Sequence, residues 1–323
     1  MIGSLSVSLI GLGCNQFGRK IDAHETRAVV DAALDAGINF LDTSDRYGYG
    51  SRPFSGQGRS EEFLGQALKG RRERVILATK FGNQMGDDPR NKGGSRRWVL
   101  TAVEDSLRRL QTDYIDLYQI HRPDPLTPIE ETIDALNELV AQGKVREIGC
   151  CNFTVPQLEQ AAAVGMSGEK RFASVQNEYS LLCREPEKGV LTVCRREKIR
   201  FLPYFPLAGG LLSGKYRKGQ EAPADGRLAL FPPGRPHLGL TAKNLDRIEI
   251  LGKFASESGH SLLELAFAWL VAHREVASVI AGATAPLQVQ QNASTLRWRL
   301  SDDELAQIDQ LAGNDPEAGG EVQ

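Results

Sequence analysis

Short apolar, β-branched runs alternate with longer amphipathic stretches along the whole chain, the pattern of βα units around a parallel sheet. Eight runs read as strands: Ser8 to Leu12, Ile38 to Leu41, Val75 to Ala78, Tyr114 to Ile120, Val145 to Cys150, Ala173 to Gln176, Ile199 to Tyr204 and Val276 to Ile280. Between them apolar residues return at helical spacing. Ala28, Val29, Ala32, Ala33 and Ala36 form one face, which Gly37 stops. Ser95 reads as the cap of a helix buried through Val99, Val103, Leu107 and Leu110. Thr127-Pro128 reads as a cap with proline in the first helical position, and Ile129, Ile133, Leu136 and Val140 continue that face. A helix long enough to cross back over the sheet follows nearly every strand, and no Pro/Ser-rich linker divides the chain. The pattern predicts an α/β fold, one (β/α)8 TIM barrel with residues 1–323 as a single domain. A doubly wound open sheet is the second choice.

Three stretches exceed what a minimal barrel needs: Gly48 to Arg59, Gly82 to Ser95, and Pro206 to Leu240 with its five Pro and seven Gly. Each follows a predicted strand and so becomes an extended loop on the C-terminal rim, where barrel active sites are built. The longest is expected to fold over a bound ligand, and the polar tail after about residue 312 to fray. Composition agrees with a packed core, since 323 residues, 41% hydrophobic and 25% charged, can bury one without disulfides or metals. With 39 Lys and Arg against 41 Asp and Glu, the formal charge of −2 gives no field that attracts nucleic acid or anionic lipid. The longest apolar window, Leu262 to Ala272, is too short to span a bilayer and contains Glu264. Five cysteines without disulfide or metal spacing, and an N-terminus MIGSLSVSLIGLG without a basic leader, point to the cytoplasm. The expected partners are small molecules, with no nucleic acid and no membrane; oligomeric state stays open.

Several familiar sites fail on inspection. Gly209-Gly210-Leu211-Leu212-Ser213-Gly214-Lys215 has the glycine and lysine spacing of a phosphate loop, but Tyr216 stands where Ser or Thr must hold magnesium. Gly11-Leu12-Gly13 begins like a dinucleotide fingerprint, yet Gln16 occupies the third glycine position. The five His residues never pair at ligand spacing, so no metal is expected. Asn152-Phe153-Thr154 matches a glycosylation sequon only formally.

What remains is a set of polar residues at or just beyond successive strand ends: Asp42 and Tyr47, Lys80, and His121. On a barrel these converge on one rim. Each alone has a plain structural reading: a salt bridge closing the barrel, a loop aromatic, a packed imidazole. Together they suit carbonyl reduction. A Tyr hydroxyl, with a reference pKa of about 10, is a poor acid at neutral pH, and an adjacent ammonium lowers that value. Bringing it to about 8 takes roughly 3 kcal/mol of differential stabilisation, within reach of a partly desolvated lysine. Asp42 would keep Lys80 charged, His121 would hydrogen-bond the reacting oxygen, and Tyr47 would donate the proton. No nucleophile is evident, so hydride must come from a cofactor.

These segments resemble the aldo-keto reductases, NAD(P)H-dependent enzymes built on a (β/α)8 barrel, over nearly the whole chain. The likeness rests on Asp42-Thr43-Ser44-Asp45-Arg46-Tyr47-Gly48, on Ala78-Thr79-Lys80, and on Ser106 to Leu110 with Asp113 to Leu117 and His121-Arg122-Pro123-Asp124. It implies that Tyr47 donates the proton, His121 orients the carbonyl, and Lys80 with Asp42 lowers the Tyr pKa. Gly149-Cys150-Cys151-Asn152-Phe153 is similar to the family's Ser-Asn-Phe strand end, with Cys151 in place of Ser. The resemblance assigns Asn152 and Gln176 to the nicotinamide carboxamide and Tyr204 to stacking on its ring. Pro206, Leu207, Gly209, Leu211 and Lys215, following Phe205, would fold over the pyrophosphate. It places Gly13, Cys14, Asn15 and Asp42 beside the nucleotide, and Ala281, Gly282, Ala283, Thr284, Gln288, Gln291 and Asn292 at its adenosine end. No Lys or Arg lies between Ile280 and Asn292 to grip a 2′-phosphate. The Gly-Ala-Thr form with Gln288 is closer to the branch of potassium-channel beta subunits and bacterial relatives, which draws its cations from the long loop, where Lys215 and Arg227 stand here. NADPH/NADP+ is the expected cofactor, with NADH open.

Two functions from different classes follow. The first is an NADP-dependent reductase of aldehydes or ketones that can run toward alcohol oxidation. The alternative is a nicotinamide-nucleotide-binding regulatory or sensor protein with slow chemistry. Phe17, Phe54, Phe81, Trp98 and Arg122 are candidate pocket residues by rim position alone, and the identity of the carbonyl is not readable.

Overall fold

In the computed structural model, which describes residues 1–48, 54–164, 171–220 and 235–313, the eight apolar runs form eight parallel strands. They pair in sequence order and close on themselves as a barrel, with β8 back against β1. The chain runs β1 (Ile10–Gly13), α1 (Ala23–Asp35), β2 (Phe40–Asp42), α2 (Arg59–Ala67), β3 (Ile76–Phe81) and α3 (Arg96–Leu110). It continues through β4 (Ile115–Ile120), α4 (Ile129–Ala141), β5 (Val145–Cys151), α5 (Val155–Ala163), β6 (Ser174–Glu178), α6 (Val190–Glu197) and β7 (Arg200–Tyr204). Two helices, α7 (Ala242–Glu257) and α8 (Leu262–Ala272), separate β7 from β8 (Val279–Gly282), and α9 (Pro286–Ser294) and α10 (Asp302–Ala312) follow. No helix among the described residues is long and apolar enough to cross a membrane.

Strand alternation sends every second side chain inward. Phe40, Ala78, Leu117, Leu202 and Ile280 form an apolar inner layer, packed with Ile2 and Leu5 from the N-terminal segment. The next inward positions toward the strands' C-terminal ends are Asp42, Lys80, Gln119, Cys151, Gln176 and Tyr204, two residues on in β2, β3, β4 and β7. An apolar plug below and a polar layer above is what fixes the site at one end.

The helices form where caps and apolar faces agree. Asp22 and Glu25 make a capping box for α1, as do Ser261 and Glu264 for α8 and Ser301 and Glu304 for α10. Two expected caps differ in detail. Ser95 is the N-cap of α3 but accepts no side-chain cap bond. At α4 the cap position is Pro128, because Thr127 Oγ1 is already committed to Asp124 Oδ2 at 2.7 Å. Lys80 lies inside β3 rather than beyond it, since that strand runs on to Phe81. Helices α2 and α3 approach closely at Gly65, where a Cβ would stand 2.7 Å from Arg109 O and 2.8 Å from Leu110 O.

Candidate active site

Asp42 ends β2, and the chain beyond it stays in register with β3: Thr43 N–H donates to Ala78 O and Asp45 N–H to Lys80 O. This continuation sets the Tyr47 ring over Lys80, whose Nζ lies 5.0 Å from the ring centroid. Lys80 is fully buried, and its ammonium donates to Asp42 Oδ2 at 2.5 Å, Thr43 O at 2.9 Å and Tyr47 Oη at 3.4 Å. A buried ammonium persists only with such partners. Desolvation works against its charge, yet Asp42, with Tyr47 and Cys151, raises the Lys80 pKa above its ordinary value. The other Asp42 oxygen accepts from Gln176 Nε2 at 3.0 Å and Gln119 Nε2 at 3.2 Å, so the carboxylate is saturated on both sides.

The Tyr47 phenol does not behave as the sequence led one to expect. Burial pushes it up to about 12, although Lys80 pulls the other way. The physical reason is that the lysine charge is already neutralised by Asp42 at 2.5 Å, while the phenol is 3.4 Å away. Tyr47 therefore rests as a neutral phenol with a cation beside it.

His121 directly follows β4, its N–H bonded to Phe81 O at 2.8 Å. Its ring meets Tyr47 edge-on, centroids 5.8 Å apart at 82°. Desolvation, and then the charges of Lys80, Arg122 and Arg46, hold its pKa well below the ordinary value, so the imidazole is neutral at pH 7. Its Nδ1 stands 3.1 Å from Ser44 Oγ.

Three residues that sequence reading missed complete this centre. Gln119 sits two residues before His121, hence on the same strand face, and bridges Asp42, Gln176 and Cys151; strand alternation alone would have found it. Ser44 and Asp45 carry no sequence signal beyond proximity to Tyr47. Asp45 is wholly buried, 3.1 Å from Ser44 Oγ, and its Oδ2 has no hydrogen-bond partner. Burial first and Glu61 second push it up to about 8, while Arg109, Ser44 and the Arg46 N–H pull it down.

On the adjoining strands, Asn152 adopts a left-handed backbone (φ 62°), a conformation Asn tolerates. Its Nδ2 donates to His121 O at 2.9 Å and its Oδ1 accepts from Tyr204 Oη at 2.8 Å, which ties the two assigned nicotinamide residues to the His121 strand. Cys151 is buried, its thiol 3.7 Å from Gln119 Oε1, and burial raises its pKa. After β7, Phe205, Ala208, Gly209 and Gly210 all have positive φ. Leu207 (φ −100°) followed by Ala208 (φ 45°) is the right-then-left-handed pairing found in anion-binding turns, although the Ala208 N–H here donates to Phe205 O at 2.9 Å and the Gly210 N–H to Leu207 O at 2.8 Å. Pro206, Gly209 and Leu211 are buried and Leu207 partly so, while Lys215 is exposed with no carboxylate partner among the described residues. An exposed ammonium beside a tight glycine turn suits a nucleotide pyrophosphate chiefly through the Lys215 charge. At β8, Ala281 and Ala283 are buried and Gly282 is exposed; Thr284 N–H donates to Gln288 Oε1 at 2.8 Å, closing the start of α9 beside exposed Gln291 and buried Asn292. Gly13 has Ile280 against it, Asn15 is partly buried, and Arg227 lies outside the described residues.

Four expected contacts move to the interior. Cys14 is fully buried, with its thiol on Leu12 O, its N–H on Asp42 O and its carbonyl accepting from Ser60, so it braces the wall rather than lining it. Phe17, Phe81 and Trp98 are core: none exceeds 2% exposure, and Phe81 stacks on Tyr118 at 4.7 Å. Their apolar faces are worth more inside the helix layer than on a wet rim. Phe54 and Arg122 remain exposed, Arg122 directly after His121.

Comparison with known proteins agrees with this geometry. Residues 9–312 match the family model described as the Aldo/keto reductase family. The chain is 33% identical over 317 residues to aldo-keto reductase YhdN of Bacillus subtilis (strain 168), covering 96% of this chain and 91% of that protein. It is 35% identical over 286 residues to a probable voltage-gated potassium channel subunit beta of Oryza sativa subsp. japonica, covering 87% and 84%. Among solved structures, the aldo-keto reductase AKR11C1 from Bacillus halodurans (holo form) superposes with a TM-score of 0.77 at 33% identity, covering 97% of this chain and 96% of that one.

Proposed function

Since the chain belongs to the aldo/keto reductase family, oxidoreductases that reduce carbonyl groups with a nicotinamide cofactor, we propose that it is an NADPH-dependent aldehyde or ketone reductase with Tyr47 as proton donor. The observation that carries this reading is the assembly of Asp42, Lys80, Tyr47 and His121 on one barrel end, with a fully buried ammonium 3.4 Å from the phenol oxygen. A nicotinamide nucleotide, when bound, would supply the hydride. The carbonyl oxygen accepts hydrogen bonds from the Tyr47 hydroxyl and from His121, which hold it and stabilise charge as it develops. As the Tyr47 proton leaves, negative charge moves onto Oη beside Lys80, and Asp42 keeps that lysine charged and aimed. A pKa of about 12 keeps the resting donor loaded at neutral pH, so Lys80 acts on the developing phenolate rather than on the resting phenol.

In this reading Asn152 and Gln176 would hold the carboxamide, Tyr204 would flank the ring, and the turn from Leu207 to Ser213 with Lys215 would meet the phosphates; what supports it is that Asn152, Gln176 and Tyr204 join the same hydrogen-bond network as Asp42 and His121. Lys215, exposed and with no carboxylate partner among the described residues, supports NADPH over NADH. The similarity to a probable channel beta subunit supports a second reading, a nucleotide-binding regulator with slow turnover. The test is nucleotide binding by fluorescence quenching, followed by oxidation of NADPH and NADH against a panel of aldehydes and ketones. Tyr47→Phe is expected to bind nucleotide and to lose about 10²–10⁴ in kcat; unchanged turnover in that variant would sink the mechanism. Tight binding with no turnover on any carbonyl would favour the regulator.

A further inference from the structure

The Ser44 hydroxyl has one proton and two lone pairs, and three neighbours: Asp45 Oδ1 at 3.1 Å, His121 Nδ1 at 3.1 Å and the Arg46 N–H at 3.2 Å. The Arg46 amide can only donate, so its contact with Oγ takes one lone pair, and the same N–H also faces the Asp45 carboxylate. The remaining valences allow two arrangements, both saturated. With Asp45 ionised, Ser44 donates to the carboxylate and accepts from His121 Nδ1–H, which leaves His121 Nε2 as a bare lone pair. With Asp45 protonated, the carboxyl donates to Ser44, Ser44 donates to Nδ1, and the His121 proton resides on Nε2. A carbonyl oxygen can only accept a hydrogen bond, so only the second arrangement serves it.

We propose that Asp45 and Ser44 form a proton relay that decides which ring nitrogen of His121 carries hydrogen, so that His121 polarises a carbonyl only while Asp45 is protonated. The inference concerns His121 in its role in the reduction and rests on that reading; the relay itself stands on geometry. Asp45 has no exposed surface, and the partnerless Oδ2 is the second sign that its usual charged form is not well served here. The groups facing Asp45 are Glu61 on α2, which repels its charge, Arg109 on α3, already held by Glu61 at 2.7 Å, and the buried phenol of Tyr118 on β4. Those facing His121 are the Tyr47 phenol, edge-on at 5.8 Å, and the cations Lys80, Arg122 and Arg46; burial first and then these charges keep the ring neutral in both arrangements. Protons balance without exposing Asp45. One proton enters at Nε2 from the cleft, the Nδ1 proton passes to Ser44 Oγ, and the Ser44 proton passes to Asp45. The result is a net uptake of one proton, with a neutral imidazole before and after. Nε2 has no partner among the described residues, which leaves it available at that end.

The relay is tested on the full-length protein with ¹⁵N-labelled histidine, by long-range ¹H–¹⁵N correlation spectra from pH 6 to 10, with the His121 signals identified by their loss in His121→Asn. In the wild type His121 is expected to pass from the Nε2–H to the Nδ1–H pattern as pH rises, with no doubly protonated form. Asp45→Asn, which offers a fixed amide donor to Ser44, is expected to hold Nε2–H at every pH, and Ser44→Ala to abolish the pH-dependent exchange. In parallel, kcat/KM for carbonyl reduction should fall tenfold per pH unit on an alkaline limb that Asp45→Asn removes; a limb due to Tyr47 would survive that change. A single tautomer across the range in the wild type, or the same exchange in Asp45→Asn, would overturn the relay. Should Asp45→Asn not fold, the wild-type titration and Ser44→Ala decide the question alone. A tautomer exchange in a protein that reduces no carbonyl would leave the relay standing and reject the reductase reading.

Discussion

At the scale of single residues, burial decides more than identity does. Lys80 keeps its charge because it is buried against Asp42, whereas Asp45, equally buried but without a cation of its own, is pushed up to about 8. That raised value has a consequence for stability. Between the unfolded value near 4 and about 8, the folded state holds a proton that the unfolded chain has released, so Asp45's contribution to stability falls as pH rises through that window and is level outside it. Thermal unfolding of wild type and Asp45→Asn from pH 4 to 9 is expected to show the variant gaining relative to wild type with rising pH, and the gain ending near pH 8. A constant difference would mean that Asp45 is ionised in the fold. The sequence marked Asp42, Tyr47, Lys80 and His121 because strand ends are legible from hydrophobic runs. It did not mark Ser44, Asp45 or Gln119, whose roles depend on which polar atoms burial leaves facing one another.

At the scale of elements, the strands were readable because a parallel barrel buries both faces and writes continuous apolar runs. Boundaries moved by one to three residues where polar inward positions extend a strand, as in β3 through Lys80 and β6 through Glu178. Helix contacts were less readable. Gly65 in α2 looks like a weak point of that helix, and its replacement by Ala would ordinarily add about 1 kcal/mol of helix propensity. Here the added methyl would press on the Arg109 and Leu110 carbonyls of α3. Gly65→Ala is therefore expected to destabilise by about 1–3 kcal/mol in chemical denaturation, because overpacking outweighs propensity. It should also disturb the site, since Glu61 on α2 holds Arg109 on α3 and accepts from Thr79 Oγ1 at 2.6 Å beside Lys80. A neutral or stabilising result would show that the two helices part without cost.

At the scale of the whole molecule, eight strands from across the chain end on one rim, so a nucleotide bound there would join segments far apart in sequence and should stabilise the fold as a unit. NADPH at about a hundred times its Kd adds about 2.7 kcal/mol and should raise Tm by a few degrees, more than NADH at equal concentration. Lys215→Ala is expected to weaken NADPH binding by roughly two- to fivefold, the small effect of an exposed cation; equal Tm gains with both nucleotides would argue against NADPH preference. The sequence by itself determined the βα alternation, the strand count and the placing of four candidate side chains at or near strand ends, because hydrophobic period and chain order are local properties. Only the tertiary structure decided that Phe17, Phe81 and Trp98 belong to the core, that Asn152 joins Tyr204 to the His121 strand, that the Tyr47 phenol is raised, and that Asp45 faces His121 through Ser44. Those outcomes turn on barrel closure and register, which bring together groups as far apart as the 134 residues between Asp42 and Gln176, and on desolvation, which no local pattern encodes.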